Sequence, residues 1–253
     1  MVVAAVKEFL ALGCHVTGFD RKPIEVSQSC STSEQESRFN VVIEDLTQEH
    51  SVADSFKSAT GKFGPVNILV ANAGTDESAH PPIWEVDRAL WDKVNTNKSQ
   101  RPKKTGAAQL ENVAIAVTGS ETGKFGKQGH SEYAASKAGL QYRIVRRVKN
   151  EIVQLTSKAR TNAVAPGWVN TPLIGDRLDD PKKMWSECQA TVALKKISKP
   201  EDAAGAMAFL ANHRAAGSIS GECISVDGGM EGRIIWREEQ NTRCTIQVQE
   251  WPD

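Results

Sequence analysis

Segments with two different hydrophobic periods alternate along this chain, and that alternation restricts the fold more than any other feature. Short apolar runs that predict buried strands lie at 15–19, 40–43, 67–71, 113–118, 161–165 and 223–226. Segments predicted to be helical lie between them, at 2–12, 51–62, 85–95, 133–155 and 200–211. Strands separated by helices pair in parallel, because each helix returns the chain to the same end of the sheet. The order therefore predicts an α/β domain with a parallel sheet.

The composition argues against several classes of protein. The 31 basic and 31 acidic side chains balance, so no net field favours nucleic acid or an anionic membrane. The five cysteines are odd in number, form no CxxC pair and show no zinc-like spacing with the histidines, which favours a reducing compartment. No stretch approaches the roughly 20 apolar residues of a membrane span, and we find no secretory signal. We expect a cytoplasmic protein with no metal, nucleic-acid or membrane partner.

Two residues of the long predicted helix form a pair with a clear chemical use. Tyr133 and Lys137 are four residues apart, so they share one face of a helix. A phenol has a pKa near 10, which is too high for ready proton exchange at neutral pH. A nearby ammonium favours the phenolate and lowers that pKa. Tyr133 is therefore a candidate general acid for carbonyl reduction, or a general base for alcohol oxidation.

Further local patterns accompany this pair in a fixed order. Asn72-Ala73-Gly74 directly follows a predicted strand, and Ser120 precedes Tyr133 by 13 residues. A proline-glycine segment, 162–171, follows a later strand, and Asp227-Gly228-Gly229 follows the last one. Together these patterns resemble the short-chain dehydrogenase/reductase family over about residues 1–229.

The resemblance implies a Rossmann-like, doubly wound parallel sheet in a single domain over residues 1–236, followed by a tail at 237–253. It implies an NAD(P)-dependent oxidoreductase that interconverts a secondary alcohol and a ketone by hydride transfer. Ser120 would hydrogen-bond the substrate oxygen, and Lys137 would also hold the nicotinamide ribose. Asn95 would hold a water of the proton relay, although Lys98 stands where the family has glycine.

The resemblance also implies a set of residues that contact the cofactor. Asp20, at the end of a strand, would bind the adenosine ribose and favour NAD, while Arg21 leaves NADP open. The other cofactor residues would be Asp45 and Leu46 at the adenine, Asn72, Ala73 and Gly74 beside the cofactor, Tyr133 and Lys137, and Pro166, Gly167, Val169 and Thr171 at the carboxamide.

Several of these residues also have simpler interpretations. Asp20 could only cap a turn, and Tyr133 and Lys137 could be an ordinary surface pair. His130 could contact the substrate, but we expect it to be an exposed loop residue. The segment from Pro172 to Lys196 is where the family binds its variable substrates, and its apolar side chains indicate a partly apolar one.

Two departures from the family pattern lead to alternative predictions. The glycine-rich turn that precedes the family's first helix is not found, so we expect the central strand of the sheet to be missing. The segment 96–112 lacks the apolar periodicity of the helix that family members commonly use to form dimers or tetramers. A mis-drawn gene model or a decayed copy would explain both departures. The alternatives to an active enzyme are a non-catalytic binding protein and an unstable remnant.

Overall fold

The computed structural model describes residues 1–25, 29–74, 85, 87–89, 92, 112–174 and 188–231. Several sequence predictions lie wholly or mostly outside these residues. They concern Asn95, the helix predicted at 85–95, the polar segment 96–112, the centre of the substrate segment at 175–187 and the tail at 237–253.

All six predicted strands are present among the described residues. They are β1 (Val16–Asp20), β2 (Phe39–Ile43), β3 (Ile68–Ala71), β4 (Ala114–Thr118), β5 (Arg160–Pro166) and β6 (Cys223–Val226). Each observed boundary lies within one residue of the prediction. Every strand pairing is parallel, which confirms the predicted α/β class with a parallel sheet.

The described helices include the long predicted ones and several shorter ones. They are α1 (Val2–Ala11), α2 (Ser33–Ser37), α3 (Glu49–Phe63), α4 (Thr122–Phe125), α5 (Ser131–Ala138), α6 (Val145–Ile152), α7 (Pro200–Ala211) and α8 (His213–Ala216). A π-helical segment, Gly139–Ile144, joins α5 to α6, so the helix predicted at 133–155 is three connected pieces. The helices α2, α4 and α8 were not predicted, because four or five residues are too few to show a helical period.

The parallel strands form two separate sheets. β1 pairs with β2, and β3, β4, β5 and β6 pair in that order. No strand pairing joins β1 to β3 within the described residues. Among these residues, side-chain packing connects the two sheets.

Helix α1 packs on the two-stranded sheet through one side. Val6 and Leu10 form a buried cluster with Ile24 and Phe39, the first residue of β2. Leu10 is fully buried, and Val16 of β1 packs against the same cluster. Burial of apolar side chains here stabilises the helix against β1 and β2.

The same helix reaches the four-stranded sheet through Phe9. Its ring belongs to a cluster that contains Ala114 of β4 and Ala208 of α7. Val16 of β1 and Val70 of β3 both pack against this cluster. The cluster that contains Phe9 therefore receives side chains from both sides of the break between the sheets.

A buried arginine connects β5 to the end of α7 by hydrogen bonds. Arg160 is 4% exposed and donates to the carbonyl oxygens of Leu210 (2.8 Å) and Ala211 (3.2 Å).

We expect Arg160→Met to lower the free energy of unfolding by about 2–3 kcal/mol, because it removes charged hydrogen bonds and leaves buried carbonyls unpaired. Urea denaturation measures this loss. Arg147→Met, which breaks an exposed pair with Glu151, should cost less than about 1 kcal/mol. Equal losses of unfolding free energy in the two variants would contradict the conclusion that Arg160 stabilises the contact between β5 and α7.

Candidate active site

The residues predicted to form the site follow the carboxyl ends of five strands. Asp20 ends β1, and Asp45 follows β2 by two residues. The other members are Asn72, Ala73 and Gly74 after β3, Ser120 after β4, and Pro166, Gly167, Val169 and Thr171 at the end of β5. In open parallel sheets this edge is where ligands bind, because strand ends and helix N-termini meet there. Topology alone therefore brings Asp20 and Asp45 to the carboxyl edge of the two-stranded sheet, and the other residues to the carboxyl edge of the four-stranded sheet.

Ser120 is held by a side chain that the sequence did not single out. Its backbone N–H donates to Oε1 of Gln141 at 2.8 Å, and Gln141 is fully buried in the π-helical segment. A side chain at Gly119 would collide with the same amide group. The glycine therefore lets Gln141 approach the backbone and position Ser120, which is itself 7% exposed.

Lys137 reaches back from α5 to the end of β4. Its ammonium donates to the carbonyl oxygen of Thr118 at 2.6 Å, and the residue as a whole is 4% exposed. The same nitrogen lies 5.6 Å from the centroid of the Tyr133 ring, and Tyr133 is half-buried. The simpler interpretation of an exposed surface pair is therefore wrong for Lys137. Ser120, two residues beyond Thr118, is thereby brought to the same region as the ammonium and the phenol.

Thr118 also connects the end of strand β3 to Lys137. Its hydroxyl donates to Oδ1 of Asn72 at 3.1 Å, while its carbonyl accepts the bond from Lys137. Thr118 thus connects the asparagine after β3 to the lysine on α5. The sequence predicted the two outer residues but not the threonine between them.

A buried carboxylate lies directly beside Ser120. Glu121 is 9% exposed, and its Oε2 accepts from the Ser120 hydroxyl at 2.8 Å and from the Thr122 N–H at 2.6 Å. Burial raises the pKa of Glu121, while these hydrogen bonds and the charge of Lys127 oppose that rise. No sequence pattern marked Glu121, because a charged residue after a strand is normally solvated.

The two aspartates predicted to bind the adenosine part of the cofactor accept hydrogen bonds from backbone N–H groups two residues later. Oδ1 of Asp20 accepts from the Lys22 N–H, and Oδ1 of Asp45 accepts from the Thr47 N–H, both at 3.0 Å. The bonds from Thr47 lower the pKa of Asp45. Asp20 therefore does cap its turn, as the simpler interpretation stated. A carboxylate has about four acceptor positions, so this cap leaves capacity for ribose hydroxyls.

The segment after β5 comes very close to the end of β6. The Gly167 N–H donates to the Val226 carbonyl at 3.0 Å, and a side chain at Gly167 would strike Asp227. Beyond it, Val169 is buried and pairs with Ser198. This close approach gives the segment a fixed backbone course beside Ser120.

The prediction for His130 is wrong. Its side chain is 5% exposed, and its ring centroid lies 6.4 Å from that of Tyr133. His130 directly precedes α5, and its carbonyl accepts the N–H of Ala134 at 2.8 Å. Because His130 lies at the start of α5, its imidazole packs near Tyr133 and is buried instead of lying in a solvated loop.

A cavity of about 350 Å³ lies at the opposite edge of the sheets, away from these residues. Its lining includes Cys14, Asn67 and Val113, each shortly before a strand, and Phe9 of α1. Among the described residues, no helix is long and apolar enough to span a membrane, and no group of three or more potential metal ligands occurs.

Many nicotinamide-dependent oxidoreductases have an α/β fold of this kind with ligand-binding residues at the carboxyl ends of the strands. A family model described as "Enoyl-(Acyl carrier protein) reductase" matches residues 2–231. The chain belongs to the short-chain dehydrogenase/reductase family of NAD(P)-dependent oxidoreductases.

Curated relatives agree with this assignment, and a solved structure agrees with the fold. The chain is 34% identical to cis-4-hydroxycyclohexanecarboxylate dehydrogenase of Sinomonas cyclohexanicum over 73% of this chain and 74% of the relative. It is 31% identical to acetoacetyl-CoA reductase of Synechocystis sp. over 74% of this chain and 77% of the relative. The 3-ketoacyl-(acyl-carrier-protein) reductase from Brucella melitensis, solved with NADH, matches the fold with a TM-score of 0.75 and 24% identity, covering 90% of this chain and 92% of that one.

Proposed function

We propose that this protein interconverts a secondary alcohol and a ketone, with Ser120, Tyr133 and Lys137 at the reacting oxygen. The observation that carries the proposal is the placement of the Lys137 ammonium between the Thr118 carbonyl and the Tyr133 ring. Beside that charge, Tyr133 would give a proton to the substrate oxygen in reduction and take it back in oxidation. Ser120 would donate a hydrogen bond to the same oxygen as negative charge develops on it.

The residues present fit most of a nicotinamide dinucleotide. When bound, the cofactor supplies or accepts the hydride. Asp20 would hold the adenosine ribose, and Lys137 the nicotinamide ribose. The close approach of Gly167 to Asp227, which a side chain would block, fixes the course of the backbone that would contact the carboxamide. Asp45, Leu46, Asn72, Ala73, Gly74, Pro166, Val169 and Thr171 would complete the contacts, and Asn95 stays a prediction for the proton relay.

NAD is the proposed cofactor, and a thermal melt with each cofactor tests this choice. At a hundred times its dissociation constant, a ligand adds about 2.7 kcal/mol to stability. For a chain of this size that raises the melting temperature by roughly 5–10 °C. We expect NADH to give the larger shift, because the Asp20 carboxylate repels the 2′-phosphate of NADPH. Asp20→Ala should remove this preference, whereas Asp54→Ala, on the exposed surface of α3, should keep it. Equal shifts with both cofactors in the unaltered protein would contradict the proposal.

The proposed substrate is partly apolar. Leu173 and Leu194, at the two described ends of the substrate segment, are 59% and 64% exposed. Exposed leucines beside a candidate site favour an apolar ligand. Activity confined to small, highly charged alcohols or ketones would count against this choice. A homodimer or homotetramer stays a prediction from the resemblance.

A non-catalytic binding protein is the second candidate. The Ser120 hydroxyl favours it, because it donates to Glu121 instead of facing a substrate oxygen. A cooperative melt that neither cofactor shifts would support this candidate. Turnover that disappears with Tyr133→Phe would reject it.

A further inference from the structure

The Ser120 hydroxyl has a single proton, and in this structure that proton is directed at Glu121. The Ser120 Oγ donates to Oε2 of Glu121 at 2.8 Å. A serine hydroxyl can donate only one hydrogen bond, so it cannot serve the carboxylate and a substrate oxygen at the same time. The observed state of the pair therefore conflicts with the role proposed for Ser120.

The carboxylate is held firmly in this position. Its Oε2 also accepts from the Thr122 N–H at 2.6 Å, and its Oε1 accepts from the Thr122 hydroxyl at 3.3 Å. The Glu121 N–H donates to the Pro166 carbonyl at 3.1 Å, which fixes the backbone from which the side chain departs. With 9% exposure, Glu121 cannot leave Ser120 by rotating into solvent without disturbing these bonds.

We propose that Glu121 is a positioning residue that decides whether Ser120 can donate to the substrate oxygen. This inference rests on the function proposed above. When Glu121 is ionised, it accepts the serine proton and leaves only oxygen lone pairs facing the substrate. When Glu121 is protonated, it donates to the Ser120 Oγ, and the serine proton turns toward the substrate. No proton leaves the serine in either state; only the direction of its hydrogen bond changes.

Charged groups from the neighbouring elements set the balance between the two states. Lys127, in the loop before α5, favours the ionised carboxylate, and burial favours the protonated one more strongly. Lys124 of α4 pairs with Glu231 at 2.6 Å. Lys137 of α5 donates to the Thr118 carbonyl, and His130, directly before α5, packs near Tyr133. Among the described residues, Asp227 follows β6, and Glu132 of α5 is fully buried. Burial thus keeps the pKa of Glu121 above its ordinary value.

The inference leads to a specific pH dependence. As pH rises through the pKa of Glu121, the ionised form accumulates and Ser120 loses its bond to the substrate. One such donor contributes about 10²–10³ in kcat, so the loss of rate in the reductive direction should be large. The effect should appear in kcat more than in KM, because this hydrogen bond strengthens in the transition state.

The test is the pH profile of kcat and KM for ketone reduction in the unaltered protein, Glu121→Gln and Glu121→Met. We expect the unaltered protein to lose roughly tenfold or more in kcat across the titration of Glu121. Glu121→Gln keeps an acceptor for Thr122 but cannot titrate, so this step should vanish. Glu121→Met removes the acceptor, so its kcat above the step should exceed that of the unaltered protein. Identical profiles in all three proteins would overturn the inference.

Two further readouts need no turnover. In a ¹³C-NMR titration, Ser120→Ala should raise the pKa of Glu121, because the ionised carboxylate loses a donor. Linkage gives the second readout. Since the folded pKa of Glu121 is raised, its stabilising contribution is full at low pH and is lost as pH rises through that pKa. The stability of the unaltered protein relative to Glu121→Gln should therefore fall over that interval. An unchanged Glu121 pKa in Ser120→Ala would overturn the inference even in an inactive protein.

These measurements distinguish a failure of the inference about Glu121 from a failure of the proposed function. Turnover that depends on Tyr133, with no change of profile in Glu121→Gln, would remove Glu121 from the mechanism and leave the proposed function intact. A coupled titration of Glu121 and Ser120 in a protein without turnover would show the reverse, since the switch would exist without the reaction.

Discussion

Replacing Tyr133 with phenylalanine is expected to lower kcat for alcohol oxidation or ketone reduction by about 10²–10⁴-fold, the contribution of a positioned general acid or base. The change removes one oxygen and keeps the ring beside the Lys137 ammonium. NADH binding should survive, because Lys137 and Asp20 stay in place. The measurements are steady-state kinetics at several pH values and the thermal shift with NADH.

The chain offers a matched control for this substitution. Tyr142 is the only other tyrosine in the sequence, and it lies on the π-helical segment under the Arg146 guanidinium. Tyr142→Phe removes the same atom and should leave kcat within about twofold, since no step of the proposed reaction uses it. A loss confined to Tyr142→Phe, or no loss in Tyr133→Phe, would defeat the proposed assignment of the general acid.

Phe9→Ala should destabilise the fold by about 3–5 kcal/mol, which is the usual cost of deleting a buried phenyl ring. Phe9 is 6% exposed and packs in the cluster that Val16 and Val70 reach from opposite sides of the break. Because no strand pairing among the described residues crosses that break, lost packing there has no neighbouring hydrogen bonds to offset it. We expect the value near the upper end of the range.

Leu12→Ala is the control for Phe9→Ala. Leu12 lies three residues away and is 58% exposed, so its removal should cost less than about 1 kcal/mol. Urea denaturation followed by circular dichroism measures both variants. Similar losses for the two would mean that Phe9 does not join the sheets. An early, separate transition in Phe9→Ala would mean that β1 and β2 detach first.

The strands were predictable because their signal is local. The run from Ile68 to Ala71 is apolar and lies between Asn67 and Asn72, so burial of its side chains is encoded without knowledge of its neighbours. The order of strands within a sheet is not a local property, because nothing in β1 or β3 states which strand lies beside it.

The roles of individual side chains were less accessible. His130 was expected in solvent, yet the start of α5 packs its ring near Tyr133. Gln141 had a weak signal, since it follows Lys137 by four residues and is polar on the same helical face. Nothing comparable marked Arg160, whose partners lie 50 and 51 residues later at the end of α7.

The sequence by itself determined the order of strands and helices and the spacing of Ser120, Tyr133 and Lys137, since periodicity and spacing are properties of neighbouring residues. Only the tertiary structure decided that Glu121 is buried with the Ser120 proton directed at it, and that Phe9 joins two sheets. Those facts depend on segments far apart in the chain, such as Pro166 against Glu121 and Val70 near Val16. Burial and hydrogen bonding between distant segments leave no periodic trace in a single sequence.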